Sequence, residues 1–232
     1  MKKLLILCLV LMAAFSCGCF KKNTREKLAP ELAAEAMESF DKERYQSSIE
    51  TFNKLKDWYP FDKLATLAEF KIAEAHFKME EYEEAISAYS EFEKLHPKND
   101  AIPYVLNQIA LCYFNRIGTV DRDQNNARHA LEAFARVIKE YPDSKFAKDA
   151  EEKRVKCLKS LAGQEIYVGH FYFKSKHYKS ALGRFKTVIA QYSGLGFDKE
   201  ANDYIAKCTE KIKAMGAAGK SGRHDEMIIM PE

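Results

Sequence analysis

Residues 68–97 read AEFKIAEAHFKMEEYEEAISAYSEFEKLHP, and their spacing decides the fold. Tyr82, Ala85, Tyr89 and Pro97 stand at offsets 0, 3, 7 and 15. The same offsets recur at Tyr45, Ser48, Phe52 and Pro60, at Ala127, Ala130, Phe134 and Pro142, and at Tyr178, Ala181, Phe185 and Ser193. A small residue and then an aromatic precede each set: Ala36 and Phe40, Ala73 and Phe77, Ala110 and Phe114, Gly169 and Phe173. The small residue lets two helices approach closely, the aromatics fill the space between them, and the late Pro stops the second helix.

The pattern resembles the tetratricopeptide (TPR) signature, a helix–turn–helix unit of about 34 residues. Helical periodicity is nearly continuous from Pro30 to Lys213, and strand-like alternation is nowhere sustained. The expected fold is therefore all-α: a TPR-type solenoid of about ten helices, with four recognisable units, an extra helix and a C-terminal capping helix. The helices are expected near 30–42, 45–59, 62–79, 82–95, 101–116, 123–141, 145–162, 164–174, 177–192 and 198–213. Successive anchors at 45, 82, 127 and 178 are 37, 45 and 51 residues apart. The second spacing holds an insertion, RIGTVDRDQNN, and the third needs an additional helix around Lys148 to Leu161. Such arrays stack into concave surfaces whose usual work is binding.

The N-terminus carries a separate signal. Lys2 and Lys3 precede an apolar run from Leu4 to Phe15, followed by Ser16, Cys17, Gly18 and Cys19. The run is too short to span a bilayer and reads as a secretory signal. A Cys after small residues at its end resembles the bacterial lipobox, in which the thiol receives diacylglycerol and the new N-terminus an acyl chain. Cys17 is favoured and Cys19 is the alternative. The expected organisation is a lipoprotein signal peptide at 1–16, an acylated tether at 17–29, N-terminal repeats at 30–142, a C-terminal TPR region at 143–214 and a disordered tail at 215–232.

Composition excludes several functions. Formal net charge is +3, and basic and acidic residues are interspersed, so there is no basic footprint for nucleic acid. Cys112, Cys157 and Cys208 lie far apart on expected helices and read as buried small hydrophobes. The six His residues form no HExxH pair, and GxSxG, P-loop and GxGxxG motifs are absent. Without a nucleophile, acid/base or metal constellation, an enzyme is not expected; nor is any metal or cofactor beyond the covalent lipid anchor. The Asp121-Arg122-Asp123-Gln124 loop lacks the Gly and distal Glu of a calcium loop, and Asp123 or Asn125 is expected to cap the next helix.

Several segments are more specific than generic repeat positions: Trp58-Tyr59-Pro60-Phe61, His96-Pro97, the DRDQ loop, Tyr141-Pro142-Asp143-Ser144-Lys145-Phe146, and Leu161-Ala162 with Glu165, Val168 and Tyr172. In this order, after a lipoprotein-type signal, they resemble the BamD (ComL-like) family of the outer-membrane β-barrel assembly machinery over about residues 1 to 192. The resemblance implies a scaffold held to the outer membrane by lipid and facing the periplasm. Its partners would be a BamA-like barrel protein, other Bam lipoproteins and unfolded barrel substrates. Arg184 matches a family Arg associated with coupling to BamA, although Gly183 stands where the family usually has Asn. Repeat position directs Met37, Phe40, Phe70, Phe77, Tyr104, Leu111 and Phe114 towards the concave face, where an apolar aromatic groove could take an extended peptide. The same aromatics also suit packing between helices. Two other functions stay open: a TPR lipoprotein coordinating cell-wall or division complexes, and a substrate-binding subunit attached to an enzyme.

Overall fold

A computed structural model describes residues 26–225, with side chains up to residue 217. Among the described residues there are nine α-helices and no strand. They are α1 (Ala29–Asp41), α2 (Tyr45–Trp58), α3 (Lys63–Lys78), α4 (Tyr82–Leu95), α5 (Ile102–Asn115), α6 (Asn125–Glu140), α7 (Ala147–Lys174), α8 (Tyr178–Gln191) and α9 (Asp198–Asp225). Each helix packs chiefly on its sequence neighbours, as in a solenoid. The signal peptide, both candidate acylation sites and most of the tether lie outside the described residues.

The repeat offsets become buried contacts. Ala36, Ala73 and Ala110 are fully buried, as are Phe52, Tyr89, Phe134 and Phe185 at the seventh offset. Ser48 stands where the later units carry Ala, and its hydroxyl donates to the Ala36 carbonyl at 2.9 Å, so the buried oxygen is satisfied. Gly169 marks the tightest approach: a Cβ there would meet the Phe185 ring at 2.7 Å.

Helix ends follow from local chemistry. α2, α4 and α6 each end two residues before Pro60, Pro97 or Pro142. The intervening Tyr59, His96 and Tyr141 all take φ near −130° with ψ of 54–58°, outside the helical well, as expected before Pro. After α8, Tyr192 leaves the helix in a similar way although no Pro follows. There Gly194 adopts φ +81°, and Asp198 at the start of α9 accepts from Ser193 Oγ (2.6 Å) and Gly194 N (2.9 Å). The Ser193 hydroxyl bond holds the Asp198 carboxyl below its ordinary range.

The turns within the first, second and fourth units share one geometry. Glu43, Glu80 and Lys176 all sit at φ of 57–60°. The following amide in each case reaches back five residues: Arg44 to Ser39, Glu81 to His76, and His177 to Tyr172. This is a Schellman ending with a side chain where Gly is usual. The left-handed conformation costs a non-glycine residue about 1–2 kcal/mol, whereas Gly loses about 0.5–1 kcal/mol of entropy. Glu80→Gly is therefore expected to stabilise the protein by about 0.5–1 kcal/mol, a rise of a few degrees in Tm by thermal melting.

Two expectations are corrected. Helices expected at 145–162 and 164–174 are a single 28-residue helix, α7, that runs through Gly163. Gly163 does not break it because it serves packing: a Cβ there would meet Val120 Cγ1 of the insertion loop at 2.9 Å. The ten expected helices thus become nine among the described residues. The last helix also runs past 213 to Asp225, into the stretch expected to be disordered. No Pro interrupts the chain between Pro142 and Pro231, although Gly216, Gly219 and Gly222 are poor helix formers.

The core falls into three clusters along the array. One joins α1–α3 around Phe52 and Leu55. The central one joins α3–α7 around Tyr89, Phe92 and Phe134. The third joins the second half of α7 to α8 and α9 around Phe185. Cys112, Cys157 and Cys208 are free and buried in these clusters. Burial pushes the Cys112 thiol up to about 12 and the Cys157 thiol to about 11, so both stay protonated and unreactive.

Candidate functional site

All seven residues expected on the concave face are half-buried. Phe40, Phe70 and Tyr104, from α1, α3 and α5, join one stripe across three repeats. Lys71 lies between the first two, its Nζ 4.7 Å from the centre of the Phe40 ring. Phe70 packs on Tyr104 with ring centres 5.6 Å apart, and Tyr104 meets Phe146 at 5.7 Å. Phe77 and Phe114 turn their rings edge-on to Tyr82 and Phe134 of the second helices of their own units, as Phe40 does to Tyr45 and Phe70 to Phe92, so all four also pack between helices. Met37 packs on the N-terminal cluster and Leu111 on the central one.

The stripe is not the purely apolar groove that repeat position suggests. Glu74 lies within it, with only 15% of its side chain exposed. Its carboxylate accepts from Lys71 Nζ at 2.6 Å and from the Tyr104 hydroxyl at 2.8 Å. Gln108 Nε2 donates in turn to that hydroxyl. Burial, and then the Glu74 charge, push the Tyr104 hydroxyl up to about 12, so it remains a donor across the physiological range. Gln108 Oε1 is buried and accepts no hydrogen bond from the described residues. Such an acceptor costs about 1–3 kcal/mol unless something donates to it. Sequence reading missed this chain because its links span 30 positions, from Glu74 to Tyr104.

A second constellation lies at the α7–α8 junction. Arg184 Nη1 is 3.2 Å from both oxygens of Glu165. Glu165 is the acidic residue of the LAxxE segment, so two separately noted features form one contact. The Glu165 side chain is 13% exposed and that of Arg184 is 44% exposed, leaving a cation presented outwards from an anchored base. Tyr167 and Phe171, one turn apart on α7, are exposed on the same helix and were not singled out in the sequence. Gly183 has open space around it, so nothing in the fold requires glycine there.

The insertion loop is structural. Gln124, only 1% exposed, donates to the Thr119 and Arg122 carbonyls and accepts from Ser160 Oγ at 2.6 Å. Gln164 Nε2 also donates to the Arg122 carbonyl, which fastens the loop to α7. Asp123 Oδ1 accepts from Asn125 N, but the N-cap of α6 is Gln124, so neither Asp123 nor Asn125 holds the cap position expected of them. Asp121 is held below its ordinary range by a hydrogen bond from Thr119. Among the described residues, no group of three or more His, Cys, Asp or Glu could hold a metal ion. None of the described helices is long and apolar enough to cross a membrane.

Comparison with known proteins adds a family and relatives. The family model YfiO, described as an outer membrane lipoprotein, matches residues 25–224. A Rickettsia prowazekii protein is 33% identical over 214 residues, covering 91% of this chain and 84% of that protein. A Caulobacter vibrioides protein is 30% identical over 198 residues, covering 83% of this chain and 65% of the relative. A Neisseria gonorrhoeae protein is 29% identical over 228 residues, covering 91% and 85%. Each of the three is named outer membrane protein assembly factor BamD.

Proposed function

The chain belongs to the YfiO family of outer membrane lipoproteins, and we propose that it is a non-enzymatic scaffold of the β-barrel assembly machinery, held to the outer membrane by an acylated Cys17 or Cys19. Its periplasmic solenoid assists the folding and insertion of barrel proteins. The first three units receive unfolded barrel segments, while the α7–α8 surface around Arg184 holds a BamA-like barrel protein. These two surfaces lie on separate core clusters, so the long α7 transmits their relative angle.

The stripe from Phe40 to Tyr104 carries the substrate half of this reading. It offers aromatic faces to alternate side chains of an extended strand. Sequence-tolerant binding of many barrel chains is suited by such surfaces. A photo-crosslinking residue at Leu111, beside the stripe, is expected to capture unfolded outer-membrane barrel chains in growing cells. Adducts made only with cell-wall or division enzymes would replace this function with that of a coordinator of those complexes.

A further inference from the structure

At the N-terminal end, Leu28, Trp58 and Phe61 are three of the eight large apolar side chains exposed among the described residues. Phe61 is 101% exposed and Trp58 52% exposed. The turn that carries them is firmly held. The Tyr59 ring packs on the N-terminal cluster, and its hydroxyl donates to the Lys27 carbonyl at 3.0 Å. Asp62 N donates to the Tyr59 carbonyl at 3.0 Å, and Asp62 Oδ1 caps α3. Phe61 is thus propped outwards. Burying such a ring is favourable, so an ordered, uncovered aromatic pair points to a surface that covers it.

The course of the chain indicates which surface. Lys27, bonded to Tyr59, lies at the entry to α1, and the candidate acylated cysteines are only seven or nine residues before Glu26. Fully extended at about 3.3–3.6 Å per residue, that tether keeps Glu26 within about 32 Å of the anchor, and the turn adjoins it through the Lys27–Tyr59 bond. The chemistry of the turn suits a phospholipid headgroup layer. Trp prefers the membrane–water interface. Lys54, one helical turn before Trp58, and Lys63, two residues after Phe61, place cations beside the turn, and the tether sequence adds Lys21, Lys22 and Arg25. Apolar side chains beside cations are the composition that binds anionic lipid surfaces.

We infer that the Trp58–Phe61 turn, with Leu28 beside it, inserts into the headgroup layer of the membrane that holds the lipid anchor, fixing the tilt of the solenoid over that membrane. This inference rests on the lipoprotein reading. An acyl anchor alone leaves the domain free to swing; a second contact at the same end sets its pose.

Trp58 is the only tryptophan in the chain, so its emission reports on the turn directly. The full-length acylated protein would be reconstituted into vesicles of phosphatidylethanolamine and phosphatidylglycerol, and flotation measured beside Trp58 quenching by lipids brominated near the headgroup. The wild type is expected to float with blue-shifted, lipid-quenched emission. Phe61→Glu, which alters a side chain outside the core, is expected to float and keep its helicity while losing most of that quenching. Floating protein whose Trp58 stays open to aqueous iodide and insensitive to brominated lipid would overturn the inference and leave the anchor intact. Full lipid quenching retained in Phe61→Glu would also overturn it, because the tether alone would then hold Trp58 near the bilayer. Wild-type protein that fails to float overturns the anchor reading itself, and the inference with it.

Discussion

Phe134→Ala is expected to lower the unfolding free energy by about 3–5 kcal/mol. Phe134 is fully buried in the central cluster and meets Phe114 edge-on at 5.9 Å. Truncation forfeits the transfer of the ring out of water and the edge contact, and it leaves a cavity that rigid helices close only in part. The central cluster joins both halves of the array, so the loss also weakens the coupling between them. Urea unfolding would measure the loss, and hydrogen exchange would locate it in α5, α6 and the first half of α7. A loss under 1 kcal/mol would mean that the seventh-offset aromatics are not the fold's principal anchors. Phe61→Ala serves as the contrast, with an expected change within about 0.5 kcal/mol because the side chain is wholly in water.

Under the proposed role of the α7–α8 surface, Arg184→Glu is expected to weaken capture of a BamA-like partner by at least about 30-fold, the loss expected when an interface Arg worth about 2 kcal/mol is reversed. Its effect on folding should be far smaller. The pair with Glu165 is half-exposed on the arginine side, and such pairs contribute about 0–1 kcal/mol. The substitution also sets two carboxylates side by side. Adding Glu165→Arg restores opposite charges across α7 and α8 and should recover stability without recovering capture, because the outward charge remains reversed. Calorimetry for stability and quantitative pull-down for capture separate the two roles. Recovery of capture in the double variant would show that Arg184 acts only by bracing the two helices.

The repeat was legible in the sequence because it is a matter of spacing. Ala36, Ala73, Ala110 and Gly169 announced close helix approaches, and Phe52, Tyr89, Phe134 and Phe185 the rings that fill them. The Pro-terminated second helices were equally plain. Gly163 was misread because glycine breaks a helix or permits a close contact, and only the position of Val120 decides between them. The concave face was half legible. Repeat position picks out Phe40, Phe70, Phe77 and Phe114 alike, and each of these rings also meets an aromatic of the second helix of its own unit, so spacing alone does not separate packing from groove. The Lys71–Glu74–Tyr104–Gln108 chain and the Glu165–Arg184 pair were hidden because each depends on how one helix rests on another. The exposure of Trp58 and Phe61 was hidden for the same reason: an aromatic residue beside Pro in a turn reads as readily as a core plug.

Affinity purification of the tagged, full-length protein from detergent-solubilised membranes, followed by mass spectrometry of everything that co-elutes, tests the scaffold function most directly. A BamA-like barrel protein at near-stoichiometric amounts is the expected result, reduced sharply by Arg184→Glu. Recovery of cell-wall or division enzymes with no such barrel protein would contradict it.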